Sequence, residues 1–161
     1  RVTGFEPSVE ARCAMLPQLL GGHGAMERID PTVADALWRD AGTGVSLHGE
    51  VLWCLHVPPG RTPEIIEKLE PLGARWSLDW GGGRIWAAVD SDAAPVRAIA
   101  QAAGGQAMLI RAPSEMRSTL SAHHPRPSGV AALEARVRRA FDPDSLFETG
   151  RFLGEETTDA D

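Results

Sequence analysis

Between Val51 and Arg111 the chain alternates short runs of period two with longer runs of helical spacing. Val51–Val57, Ala74–Trp80, Arg84–Val89 and Gln106–Arg111 read as strands. Thr62-Pro63-Glu64 reads as a helix start, with a capping hydroxyl, proline at the first helical position and an acid in the first turn. Ile65, Ile66, Leu69 and Leu72 give that helix an apolar face, and Gly73 ends it. Asp92–Gly104 reads as a second helix, with Val96, Ile99, Ala100 and Ala103 on one side. The order is βαββαβ, which predicts an α+β fold with a ferredoxin-like antiparallel sheet. Right-handed crossovers place the third strand between the first and second, and the fourth beside the first. Both helices then cover one face of the sheet and leave the opposite face open.

Strand alternation assigns the side chains to these faces. Val51, Trp53, Leu55 and Val57 share the helix side, with Leu52, Cys54 and His56 opposite. Trp76, Leu78 and Trp80 oppose Arg75, Ser77 and Asp79, and Ile85, Ala87 and Val89 oppose Arg84, Trp86 and Ala88. A two-residue Gly-Gly hairpin within Gly81-Gly82-Gly83 preserves this matching and is the expected connection. A three-residue loop would instead bring Trp80 and Arg84 to one face. His56, Arg84 and Asp79 are expected at one rim of the open face with Trp86 just behind, and Arg111 toward the opposite end.

The flanks read as accessory segments. Arg1–Phe5 is strand-like, and Ser8 can cap a helix carrying Val9, Cys13, Leu16 and Leu20, bent or ended by Pro17. Asp30-Pro31 starts another helix with Val33, Leu37 and Trp38 inward. Residues 42–49 and 113–128 are Gly-, Ser- and Pro-rich loops, and an amphipathic helix rich in arginine stops at Asp142-Pro143. The expected divisions are 1–49, 50–128 for the sheet domain, 129–153 for the helix and turn, and a flexible acidic tail over 154–161.

Composition narrows the class. At 161 residues, 43% hydrophobic and 24% charged, the chain has the make-up of a globular domain with a substantial core. A net charge of −6 argues against a nucleic-acid partner, since phosphate binding relies on clustered cations. No apolar run approaches the ~20 residues of a membrane span, so no direct membrane insertion is expected. Cys13 and Cys54 lack a CxxC pairing and a signal peptide, which points to reduced thiols and a cytoplasmic setting. The three glycines open no helix and fail the dinucleotide fingerprint. His123-His124 has no acidic residue at ligand spacing, so a solvated loop pair and no metal site are expected. Trp38, Trp53, Trp76 and Trp80 read as core, and Trp86 as the aromatic on the functional face.

The run Leu133-Glu-Ala-Arg-Val-Arg-Arg-Ala-Phe-Asp-Pro-Asp-Ser-Leu-Phe-Glu-Thr-Gly-Arg-Phe152 resembles the C-terminal signature of FAD-linked oxidases of the vanillyl-alcohol-oxidase type. That signature is a helix, a Phe-Asp-Pro turn, then Asn-Pro-Gly-Arg. With Leu52-Trp53, Val57-Pro58-Pro59, Asp79-Trp80-Gly-Gly-Gly and Ala107–Pro113 added, the likeness spans residues 50–152 and is greatest to the FAD-binding subunits of glycolate oxidase. It implies the cap half of a flavoenzyme, with the FAD-binding domain expected upstream of Arg1. The sheet would cover the flavin, and a small 2-hydroxy acid would bind between the two. It also implies a second flavin subunit and an iron–sulfur subunit as partners, and peripheral membrane attachment only through them.

Oxidising a 2-hydroxy acid needs a cation for the carboxylate, a base for the hydroxyl proton and the flavin as hydride acceptor. His56 and Arg84 are the catalytic candidates, and Arg84, Trp86, Arg111 and Asp79 the substrate-binding ones. A purely structural Arg84–Asp79 ion pair is the competing reading. On the resemblance, Asp142, Glu148, Gly150 and Arg151 lie near the cofactor. The chain departs from the signature at Glu148-Thr149, where Asn-Pro is usual. A carboxylate there would oppose negative charge on a reduced flavin. Two alternatives stay open: the cap of another FAD-linked alcohol or hydroxy-acid oxidase, and a free-standing ferredoxin-like ligand-binding or assembly module.

Overall fold

The strand β1 (Val51–His56) is buried along five of its six residues, on both sides of the backbone, and the sheet is built around it. In the computed structural model, which describes residues 1–90 and 94–147, β1 pairs antiparallel with β3 (Arg84–Val89) and β4 (Gln106–Arg111). β2 (Arg75–Asp79) forms the edge beside β3. The strand order is therefore β2-β3-β1-β4, as the crossover rule requires of this element order. The fold is α+β. Its central strand, Val-Leu-Trp-Cys-Leu, is the near-continuous apolar run expected of a strand covered on both faces.

One face packs under α3 (Thr62–Leu69) and α4 (Ala94–Ala102). Val51, Trp53, Leu55, Ile85, Ala87 and Val89 meet Ile65, Leu69, Val96 and Ala100 there, all fully or nearly fully buried. Burying each large member of this set contributes about 1.5–3 kcal/mol, so this layer holds most of the fold's stability. Thr62 does not cap α3. Its hydroxyl donates to the Gly82 carbonyl at 2.6 Å, pinning the helix start to the β2–β3 connection, while Arg61 takes the cap position after a short turn over Pro59–Arg61. Trp76 and Leu78 lie on the helix side as expected, yet at the edge strand they are about two-fifths exposed rather than core.

The opposite face is not open. Leu52, Cys54, Trp86 and Ala88 are buried on it, with Leu47 packed against them. The segment 44–50 lies across this face, and an arginine from each outer strand holds it there. Arg75 on β2 donates to the His48 carbonyl and pairs with Asp90 at 2.7 Å. Arg111 on β4 donates to the carbonyls of Leu47 at 2.8 Å and Gly49 at 3.2 Å. Gly44 (φ +62°) lies so close to the Trp86 ring that a Cβ would sit 2.9 Å from it. Sequence patterning could mark 42–49 as a loop but could not show that the loop is a lid on the sheet.

The exposed edge of β4 is covered as well. Leu109 N–H donates to the Ala122 carbonyl at 2.8 Å, and Ala107 N–H to His124 Nδ1 at 3.2 Å. His124 is thus a fixed backbone partner, not one of a solvated pair. Burial, then the charges of Arg97 and Arg126, hold its pKa below the usual histidine range. Arg97 donates to the carbonyls of Ser121 and His123 and stacks over Trp53, with 5.0 Å between Cζ and the ring centre. Within 113–128, expected as loop throughout, a short helix α5 (Ser114–Thr119) supplies Met116 to the helix-side core. The helix α6 (Ser128–Phe141) stops at Asp142-Pro143 as expected.

By its internal contacts the chain divides after Gly42. The first unit holds α1 (Glu6–Leu20) and most of α2 (Pro31–Thr43). Arg1–Phe5 is not a strand; it has no pairing partner among the described residues. Ser8 lies inside the first turn of α1 and does not cap it, and the helix runs three residues beyond Pro17. Asp30 does cap α2, accepting from Thr32 N–H at 2.8 Å. Val33, Leu37 and Trp38, expected inward, are exposed, and neither helix has a buried residue. A segment of this size carries too little apolar surface to close a core of its own.

Candidate functional site

At the end of β1 the register sets His56 opposite Arg84, and Arg84 opposite Asp79 on the next strand. The rim cluster expected from alternation is therefore present. Arg84 and Asp79 form an ion pair whose side chains are only 15% and 19% exposed. The Arg84 guanidinium also faces Trp86, with 5.5 Å between Cζ and the ring centre. Its Nε is buried and has no hydrogen-bond partner among the described residues, which leaves one donor of the fork unspent. The Asp79 carboxyl is held below the usual range, first by the Trp80 backbone N–H and then by Arg84.

The aromatic residue of the site is Trp80, which alternation had assigned to β2 on the helix side. It lies instead in a turn over Trp80–Gly82, at φ +55°, with its N–H donated to Asp79 Oδ1 at 2.7 Å. The expected Gly-Gly hairpin is thus a longer turn that keeps the Asp79–Arg84 register and brings the Trp80 ring to the Arg84 side. That ring lies parallel to His56 at 5.4 Å and over Arg84 Cζ at 4.4 Å, while 64% of the residue stays exposed. A bulky residue in the left-handed region costs about 1–2 kcal/mol, and a cation–π contact at a partly exposed site contributes about 0.5–2 kcal/mol. The two nearly offset each other. Three following glycines were the signal that Trp80 belonged to the turn.

Cys54 completes the cluster. It sits two residues before His56 on the same strand face, and its Sγ is 3.8 Å from His56 Nε2. Burial pushes its pKa up against a smaller opposing effect of the Arg84 charge, so the thiol stays protonated at neutral pH. Strand alternation shows this neighbour as soon as His56 is chosen.

The other sequence candidates lie elsewhere. Trp86 is buried beneath residues 44–50 and offers no free face to a ligand, which also removes it from any face-to-face dimer. Arg111 pairs across from Leu52, at the far end from His56, and spends its guanidinium on backbone carbonyls. Asp142 accepts the N–H groups of Leu146 and Phe147 at 2.8 and 2.9 Å, so both carboxylate oxygens tie down the turn after α6. Glu148, Gly150 and Arg151 lie outside the described residues. No three His, Cys, Asp or Glu side chains converge as a metal site among the described residues.

The rim offers a guanidinium with a spare donor and an imidazole under one indole, with a protonated thiol beside the imidazole, on the sheet of an α+β domain. This donor set suits a small carboxylate, not the diphosphate of a dinucleotide, since Gly81–Gly83 opens no helix. No family model, curated protein or solved structure matches the chain. No described helix is long and apolar enough to cross a membrane.

Proposed function

We propose that the chain is the C-terminal cap of an FAD-dependent 2-hydroxy-acid oxidase or dehydrogenase subunit of the glycolate-oxidase kind, covering the flavin and forming one wall of the substrate pocket. The observation that carries this reading is the rim cluster: an arginine with an unspent N–H, beside a histidine, at one end of the sheet. Arg84 binds the substrate carboxylate, with Asp79 fixing the plane of its guanidinium. His56, set opposite Arg84 by the β1–β3 register, takes the hydroxyl proton. When bound, FAD supplies the hydride acceptor. The described residues hold no cradle for its phosphates, so this chain contributes cover and substrate contacts, and a separate FAD-binding domain holds the cofactor.

Exposed apolar side chains on α6 and the turn after it, among them Leu133, Phe141 and Phe147, also fit a chain that docks onto another domain. Arg111 and Trp86 take no part in the pocket; they hold residues 44–50 and the sheet together.

The reading is tested on the subunit that joins this chain to its flavin domain. Its visible spectrum should show flavin bands that bleach with glycolate or lactate. Arg84→Gln should raise KM at least tenfold, and His56→Gln should lower kcat about 100-fold or more while the bands remain. A colourless subunit, or full activity in both variants, would rule the reading out.

A further inference from the structure

We infer that Trp80 is the gate of the rim site: its ring must leave Arg84 and His56 before a carboxylate can reach the guanidinium. This rests on the reading of the rim as a carboxylate site and adds to it the residue that controls access.

Four observations combine. The Trp80 ring covers both groups that the substrate needs, at 4.4 Å from Arg84 Cζ and 5.4 Å from the His56 ring. Its backbone is in the left-handed region at φ +55°, a conformation unfavourable for a tryptophan and held here by contacts of similar size. The residues after it, Gly81 and Gly82, have φ of +61° and +94° and can absorb a change of direction with little steric cost. The turn's backbone is held at Trp80 N–H by Asp79, at Gly82 O by Thr62 and at Gly83 O by Val57, whereas the Trp80 ring itself is mostly exposed. Closed and open positions of the ring are therefore close in free energy, and a ligand able to bond the Arg84 Nε can select the open one. Trp80 thus weakens carboxylate binding, the opposite of what a stacking platform would do. A gate that closes over the empty site keeps the guanidinium and the imidazole out of bulk water between substrates.

Oxalate, a small dicarboxylate with no hydroxyl to oxidise, is a suitable probe. The 161-residue chain would be titrated with it while Arg84 Nε–H and Trp80 indole N–H signals are followed by NMR. In the unaltered chain both signals should shift together. Trp80→Ala and Trp80→Gly should bind oxalate about 3–10-fold more tightly, the factor set by the fraction of chains in which the ring is open. Trp80→Gly also relieves the left-handed backbone, so it keeps the test valid if the alanine variant is less stable. Arg84→Gln should lose binding. Equal or weaker binding in both Trp80 variants, with Arg84 still responding, would overturn the gate and leave the carboxylate site standing. No response at Arg84 in any of the chains would overturn both.

Discussion

The two oxygens of the Asp79 carboxylate have different partners: one accepts the Trp80 backbone N–H, the other the Arg84 guanidinium. One residue thus sets the turn that carries the indole and the direction of the cation beneath it. Because both contacts favour the ionised form, the folded-state pKa lies below the unfolded value of about 3.9. The stability Asp79 contributes is therefore fully present above about pH 5 and is lost as pH falls through the lowered folded value. Asp79→Asn keeps an acceptor for Trp80 but loses the charge, and should cost about 1 kcal/mol at pH 7. In urea titrations that difference should shrink progressively as pH falls below about 4, and a difference constant with pH would refute the ionic account. At this scale the sequence was informative where neighbours share a strand: His56, Arg84 and Asp79 meet as the alternation requires. It was misleading at Trp80, because a strand assignment carried one residue too far reverses the face of the side chain.

Among the elements, the segment 44–50 changes the picture most. A sheet with one face under helices would leave Trp86 and Cys54 to solvent, and this segment buries both. It can do so because Gly44 lets the backbone lie against the indole, and because Arg75 and Arg111 reach its carbonyls from the two outer strands. Gly44→Ala would place a methyl group 2.9 Å from the Trp86 ring in a left-handed backbone. It should cost about 2–4 kcal/mol from strain and overpacking together. Hydrogen exchange should then quicken at Leu52 and Ala88 more than at Trp53 and Val96, and uniform quickening would mean the segment is not a separate cover. The boundaries of β3 and β4 were legible to the residue from alternation alone. The covering role of 44–50 was not, since the arginines that hold it lie 27 and 64 residues away from their carbonyl partners.

At the scale of the whole molecule, the described residues pack closely around the sheet and leave apolar side chains exposed outside it. On α6 the residues Val130, Leu133, Val137 and Phe141 recur at helical spacing and are all exposed, while Ala131, Glu134, Ala135 and Arg138 are half-buried. On the function proposed above, this outward apolar stripe is the surface that meets the flavin domain. Replacing both Leu133 and Phe141 by Ser should change the stability of the isolated chain by no more than about 0.5 kcal/mol. It should weaken association with a flavin domain supplied separately by at least about tenfold, since each such side chain contributes about 1.5–3 kcal/mol on burial. Unchanged association would mean that α6 is not the docking face.

The sequence by itself determined the α+β class, the strand order and the meeting of His56, Arg84 and Asp79. Those follow from periods of 2 and 3.6 residues and from the handedness of crossovers, which are local properties of the chain. Only the tertiary structure decided that the second face is closed, that Arg111 serves residues 44–50 rather than a ligand, and that Trp80 covers the rim. These depend on which distant backbone carbonyls and rings come within reach of one another, and no short-range pattern of residue types records that.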